Sequence, residues 1–250
     1  MGRKAVDIVM LNRFSRTELI LGRSGMEKLK GSRVAVFGVG GVGGFAVEAL
    51  VRSGIGTIDI FDNDKVCLTN INRQIIATEE TIGRYKVDVM RERVLSINPE
   101  LQINAHNCFY MPENADKYDL SVYDYIVDAI DTVTAKIEII VRANALNIPV
   151  ISCMGAGNKL DATAFEVTDI YKTSMCPLAR TMRRELKKRG INKLKVVYSK
   201  ETPIRSDSDL QQEVGEENPA RRAAPGSIAF VPSVAGLIAA GEVIRDLSER

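Results

Sequence analysis

Short apolar runs recur along the chain, separated by stretches of helical period. The first is Arg33-Val34-Ala35-Val36-Phe37, stopped by glycines, which reads as a buried parallel strand. A helical stretch follows from Val42 to Arg52 and ends at Gly54 and Gly56. Thr57-Ile58-Asp59-Ile60-Phe61 is a second strand, followed by a polar loop from Asp62. Thr78-Glu79-Glu80 looks like an N-cap threonine with acidic first-turn residues, and the pattern predicts one helix from there to about Ile97, before Pro99. Leu101 to Ala105, Tyr123 to Ala129 and Pro149 to Ser152 read as strands, with a helix from about Val133 to Leu146 between the last two.

This alternation predicts an α/β protein: a Rossmann-like, doubly wound, mostly parallel sheet with helices on both faces. After Gly155 the pattern changes. Thr163 to Ile170 and Lys195 to Ser199 alternate like half-exposed strands, with a basic helix over about Pro177 to Arg189 between them. They predict a smaller C-terminal extension of mixed or antiparallel pairing. Residues 203–226 are polar and irregular, the composition of a mobile loop. A small-residue helix from about Ser233 to Leu247 closes the chain. The expected organisation is a Rossmann-like region over 1–155 and a substrate or dimer region over 156–250, within one continuous domain.

Composition narrows the class. The 250 residues are 45% hydrophobic and 26% charged, as in a globular protein, which excludes disordered, collagen-like and coiled-coil chains. Lys and Arg number 34 against 32 Asp and Glu, so any basic surface must come from local clustering. Cys67, Cys108, Cys153 and Cys176 form no Cys-x-x-Cys pair, which argues against a disulfide framework or a zinc ribbon and for a reducing cytoplasm. Cys67 and Cys108 read as packed thiols and Cys153 as part of an apolar strand. The N-terminus (Arg3, Lys4, Asp7) lacks a signal-peptide core, and the uncharged stretch from Pro225 to Gly241 falls short of the ~18 apolar residues of a membrane helix. His106, the single histidine, reads as structural, and most zinc sites and histidine-based triads are thereby removed.

Gly38-Val39-Gly40-Gly41-Val42-Gly43 lies between a predicted strand and a predicted helix, where glycines let the backbone approach a phosphate. Alone the motif is weak. Asp62 ends the second strand, at the place where this fold puts an acid on ribose hydroxyls, so a nicotinamide-dependent oxidoreductase is a fair first reading. A dinucleotide site needs nothing like the segment that follows, however. Asp64, Asn70, Asn72, Arg73 and Gln74 crowd polar groups beside the ribose position, and Lys86 lies on the next helix. The added cations point to a triphosphate, against the blander alternative of a solvated loop. Asp128 and Asp131 flank a strand end at the carboxyl edge, where a carboxylate can hold Mg²⁺ against phosphate; a helix N-cap is the rival role for Asp131. Arg180, Arg183, Arg184, Lys187 and Lys188 recur at helical spacing with Arg189, Lys193 and Lys195 close by, and Arg221 and Arg222 could join them. Such a face could follow an RNA backbone, and a solvated amphipathic face explains it equally well.

Together, the Gly38–Gly43 loop, Asp62-x-Asp64, Asn70-x-Asn72-Arg73-Gln74, Lys86 and Asp128-x-x-Asp131 resemble the ThiF/MoeB/HesA superfamily of adenylating enzymes, related to ubiquitin-activating proteins. The likeness is strong from about Asn12 to Ile170. It implies that the glycine loop and Asp62 hold ATP, that Asn70, Arg73 and Lys86 bind the nucleotide and its phosphates, and that Asp131 serves Mg²⁺ and adenylation. It also implies a homodimer with composite sites. Arg16, or failing it Arg13, matches an N-terminal arginine that reaches the partner subunit's triphosphate. Sulfur-carrier-activating members often carry two zinc-binding Cys-x-x-Cys pairs; this chain has none, and no zinc is expected.

Gly155-Ala156-Gly157-Asn158-Lys159-Leu160-Asp161, Asp169-Ile170-Tyr171-Lys172-Thr173 and Cys176-Pro177-Leu178-Ala179-Arg180 resemble the tRNA threonylcarbamoyladenosine dehydratase branch. Cys176 stands where that branch favours aspartate, as a neutral replacement or a nucleophile. The resemblance implies ATP-dependent adenylation of the threonylcarbamoyladenosine carboxylate in tRNA followed by cyclising dehydration, with room for a sulfur-transfer partner protein. The alternative is adenylation of the C-terminal glycine of a small sulfur-carrier or ubiquitin-like protein, with Cys176 as acceptor. A non-catalytic nucleotide-binding scaffold is the remaining reading.

Overall fold

The computed structural model describes residues 11–204 and 225–249. Seven strands form one sheet: β1 (Arg33–Phe37), β2 (Thr57–Phe61), β3 (Gln102–His106), β4 (Tyr125–Asp128), β5 (Val150–Cys153), β6 (Phe165–Asp169) and β7 (Lys195–Ser199). Their spatial order is β3-β2-β1-β4-β5-β7-β6. All neighbours are parallel except β6, which runs antiparallel to β7. The expected Rossmann-like order is therefore present, and its C-terminal extension continues the same sheet. Among the described residues, six α-helices surround it: α1 (Ser15–Gly31), α2 (Gly43–Ser53), α3 (Lys86–Ile97), α4 (Val133–Ala145), α5 (Pro177–Lys188) and α6 (Phe230–Glu249).

The register brings Phe37 level with Phe61 on one side and Asp128 on the other, so the central strands end at one height. β1 and β4 are buried almost throughout because helices cover both sheet faces. On one face, Val34, Val36, Ile58 and Ile60 pack with Val47, Leu50, Met90, Val243 and Leu29, drawn from α2, α3, α6 and α1. On the other, Ala35, Phe37, Phe61 and Ile126 pack with Ile139 and Ala143 of α4 and with Tyr110, Leu120 and Tyr123. Gly236 sets the crossing of α6 on α2, since a Cβ there would lie 2.1 Å from the Val42 carbonyl oxygen.

Four sequence expectations need correction. The helix expected from Thr78 is a 3₁₀ turn, Glu79–Thr81, and α3 begins only at Lys86. Gly83, at φ 83°, takes the left-handed conformation that breaks the helical run. β7 is not half-exposed; it is buried in all but its first residue because it lies between β5 and β6. α1 was not expected at all. Only Gly25 and Leu29 of its residues are buried and Gly22 interrupts it, so no apolar stripe marks it in the sequence. Finally, α6 starts three residues before the expected helix, with Pro232 in its first turn, where no backbone donor is missed. Of the expected mobile loop, residues 205–224, Arg221 and Arg222 included, lie outside the described residues.

Asp59, in the middle of β2, is wholly buried. Its carboxylate accepts two hydrogen bonds from Arg33 (2.8 and 2.9 Å) and one from Asn104 (3.2 Å), and lies 3.1 Å from His106 Nε2. His106 stacks on Phe61, a structural position as expected. Burial alone would raise the Asp59 pKa, but these hydrogen bonds outweigh it and hold the carboxyl well below the usual carboxylate range. A lowered folded-state pKa contributes stability that is complete above the unfolded value near 3.9 and is lost as pH falls through the folded value. Asp59→Asn is therefore expected to cost about 3 kcal/mol at pH 7 in urea unfolding. That difference is expected to shrink steadily below about pH 4; a pH-independent difference would contradict it.

Candidate active site

The glycine loop follows β1. The Gly38 amide donates to the Phe61 carbonyl (2.8 Å), and its φ of 89° favours glycine. A Cβ at Gly38 would lie 2.8 Å from the Ala129 carbonyl oxygen, and one at Gly43 would lie 1.8 Å from that of Gly38. Both glycines are thus required by backbone packing. Above Gly40 the space is open, its nearest neighbour being Gln74 Nε2 at 3.9 Å, while Gly41 is flanked by Pro232 and the Arg73 stem. α2 starts at Gly43 without a side-chain cap, so the positive end of its dipole adjoins the glycine loop, while the Gly44 and Ala46 amides already donate to the carbonyls of Gly40 (2.9 Å) and Val42 (3.1 Å).

Asp62 ties this loop to the end of β2. Its Oδ2 accepts from the Val39 amide (2.7 Å) and its Oδ1 from the Asp64 amide (2.9 Å). Burial pushes the Asp62 carboxyl up, opposed by Lys86 and by these two amides. Lys86 is itself buried, 2.8 Å from Asp64 Oδ2 and 4.0 Å from Asp62 Oδ1. It reaches them because it is the first residue of α3: its amide donates to the Asp64 carbonyl (3.0 Å), and Lys65 bridges Tyr85. The helix break at Gly83 is what delivers this lysine to the cleft.

The segment between them folds on itself. Asn70 is buried and its Oδ1 accepts from the Cys67 amide (3.3 Å). Arg73 Nη1 donates to the Thr69 carbonyl (2.7 Å) and to Asn72 Oδ1 (2.8 Å), while Asn72 donates to the Ser227 carbonyl (2.9 Å). Gln74 is buried with an Oε1 that has no hydrogen-bond partner. The other end of its amide, Nε2, stands beside the glycine loop.

The two aspartates at and just beyond the end of β4 separate cleanly. Asp128 is wholly buried, 2.9 Å from Lys136 Nζ, and accepts from Ser152 Oγ (2.6 Å). Asp131 is exposed at the mouth, just before α4. Lys136 and Ser152 were missed from the sequence, where each lies in an apolar run with no motif around it. The two candidate N-terminal arginines also differ. Arg13 donates to Asn98 Oδ1 (2.6 Å), whereas Arg16 is exposed with no partner among the described residues.

The basic helix is less uniform than its spacing suggests. Arg183 is half-buried and holds the Thr173 carbonyl (3.0 Å) and hydroxyl. Glu185 engages Arg184, Lys188 and Arg189, hydrogen bonds that bring its pKa down to about 2. Arg180 and Lys187 remain exposed with no partner among the described residues. Cys176 is buried and caps α5, its Sγ accepting from the Ala179 amide at 3.5 Å. Burial raises Cys153 to about 12 and also raises Cys108, so neither is a ready thiolate.

Among the described residues there is no cluster of three or more His, Cys, Asp or Glu side chains that could hold a metal, and no helix long and apolar enough to cross a membrane. The chain is 48% identical to the tRNA threonylcarbamoyladenosine dehydratase of Bacillus subtilis (strain 168) over 242 residues, which cover 95% of each. Its fold matches the Escherichia coli tRNA N6-threonylcarbamoyladenosine dehydratase in complex with AMP, with TM-score 0.85, 32% identity and coverage of 95% of this chain and 94% of that one. It also matches the same Escherichia coli enzyme in complex with ATP, with TM-score 0.83, 33% identity and the same coverage. The ThiF family profile spans residues 13–250. With its glycine loop, buried lysine and paired acids at the mouth of a Rossmann-like sheet, the chain belongs to the ThiF family.

Proposed function

We propose that this protein is an ATP-dependent, AMP-forming tRNA threonylcarbamoyladenosine dehydratase. The observation that carries the reading is the 48% identity, over nearly the whole of both chains, with a dehydratase of that name. It is favoured over activation of a sulfur-carrier protein, and Cys176, buried as a helix cap, offers no accessible acceptor for that alternative. The proposed setting is the cytoplasm.

The site suits a phosphate chain. The open space over Gly40, at the positive end of the α2 dipole, would receive anionic oxygens, and Lys86 and Arg73 would supply the balancing charge. Asp62 would accept hydrogen bonds from ribose hydroxyls. Mg²⁺, when bound, would neutralise phosphate charge beside Asp131 and take its remaining ligands from phosphate and water.

The threonylcarbamoyl carboxylate is ionised at neutral pH and needs no general base. It attacks the α-phosphorus, pyrophosphate leaves, and an acyl adenylate forms. A nitrogen of the same group then attacks the acyl carbon, loses its proton to solvent, and expels AMP. That ring closure is intramolecular and has a high effective concentration. The protein's contribution is positioning and charge neutralisation.

Arg16 acts in trans on a homodimer. Beside it, Leu11, Leu19 and Ile20 are 86, 87 and 84% exposed, an apolar face that a second copy would cover. Gly22 (φ 70°) turns this first half of α1 away from the half packed on α6. A sulfur-transfer protein as a further partner stays a proposal of the family resemblance.

Purified protein is expected to release AMP and pyrophosphate only with threonylcarbamoylated tRNA; release without such dependence, or none, overturns the reading. Lys86→Ala and Arg73→Ala are each expected to lower AMP formation roughly 10²–10³-fold without unfolding the chain. Mixing inactive Arg16→Ala with inactive Lys86→Ala subunits is expected to restore up to about a quarter of the wild-type rate, because random mixed dimers carry one intact composite site. No recovery on exchange would reject the trans role. Reversing the charge of Arg180 and Lys187 is expected to weaken tRNA binding and lower its log–log salt slope by about 2, read by filter binding across salt concentrations.

A further inference from the structure

We infer that Lys136 is a positioning residue for the adenylation step, fixing from beneath the loop that carries Asp131 and abuts the glycine loop. The inference rests on the functional reading above. Lys136 is wholly buried, yet its ammonium is saturated: Nζ lies 2.9 Å from Asp128 Oδ2 and donates to the carbonyls of Ile130 (3.0 Å) and Cys153 (2.9 Å). An ammonium has three donors, and all three are spent on the carboxyl edge of the sheet.

The choice of partners gives the role. The Ile130 carbonyl belongs to the peptide unit whose nitrogen is that of Asp131, so its orientation fixes where Asp131 leaves the backbone. One residue earlier, the Ala129 carbonyl forms the wall against which Gly38 packs. The Cys153 carbonyl ends β5, the strand next to β4. One side chain thus joins the loops after β4 and β5, and Ser152, 2.6 Å from Asp128 Oδ2, holds the carboxylate that anchors it.

Stability does not explain this cation. It sits in the first turn of α4, at the positive end of a helix that has no acidic residue there to offset it. Asp128 Oδ1 is buried with no hydrogen-bond partner, so the pair is incompletely satisfied. Buried ion pairs can often be replaced by apolar residues of similar volume without loss of stability. A costly charge kept beneath a reactive cleft is expected where geometry, rather than stability, is what the group supplies.

The test uses the full-length chain with threonylcarbamoylated tRNA and ATP. Lys136→Met keeps the stem and removes the ammonium; the double variant Lys136→Met with Asp128→Asn also removes the stranded charge. The expected result is a double variant with a melting temperature near wild type and ATP affinity within threefold, but AMP formation per folded molecule at least 30-fold slower. Should Lys136→Met alone fail to fold, the double variant still decides. Ser152→Ala is expected to fall several-fold in rate with ATP affinity unchanged. Variants whose turnover per folded molecule stays within threefold of wild type overturn the inference while the wild type remains active. A wild type that makes no AMP overturns the functional reading and the inference with it.

Discussion

The site depends on a contact between stretches of backbone with no side chains between them. Gly38 lies against the Ala129 carbonyl, and Gly43 lies so close to the Gly38 carbonyl that one added carbon would overlap it. This packing closes the turn from β1 into α2 within a few residues and draws the loop after β4 against it. The consequence is chemical as well as steric. Main-chain amides, which carry partial positive charge without the bulk or mobility of a side chain, end up lining the mouth of the sheet. Everything else at the mouth is arranged around that cradle: Asp62 pins its first amide, and α6 closes over Gly41 with Pro232.

The charges around the cradle are held by geometry that costs stability locally. The side chains of Lys86 and Asp62 are only 7% and 10% exposed, and desolvation opposes the ionised form of the Asp62 carboxyl. They remain together because Asp64 shares the lysine and because two backbone amides hold the Asp62 carboxylate. Asp62 is thereby left with desolvation that its partners do not fully offset. A ligand that brings hydroxyl donors to the carboxylate would relieve that deficit, which couples ligand capture to electrostatic relief.

What the sequence disclosed and what it hid follow one rule. β1, β2 and the glycine loop were legible because each is a local pattern: a continuous apolar run, then glycines, then a small-residue helix. The site residues clustered within Asp62–Lys86 were legible for the same reason. The start of α3 was not, because the acid-rich Thr78 segment imitates a helix N-terminus and the left-handed turn at Gly83 was overlooked. α1 was hidden because its first half leaves Leu19 and Ile20 in water, so its apolar residues mark no stripe toward its own core. The burial of β7 was hidden because it is set by strand order, which residue alternation along β7 does not encode. Lys136 and Asp128 lie only eight residues apart, yet a lysine in an apolar helix looks like a surface residue until the fold closes over it.

The basic helix shows why counting charges misleads. Its cations recur at the spacing of one face, yet they divide by partner rather than by position. Arg183 is spent on Thr173, and Glu185 alone gathers Arg184, Lys188 and Arg189. A phosphate approaching those three must compete with a carboxylate already in place, so their net attraction is that of two charges, not three. Arg180 and Lys187 face no such competitor among the described residues, and they lie seven residues apart, two turns along the same side of α5. Two turns span about 11 Å, close to the rise of a few nucleotides in an RNA strand. An RNA backbone laid along α5 would therefore meet its strongest attraction at Arg180 and Lys187, with the self-neutralised Glu185 cluster as a weaker neighbour.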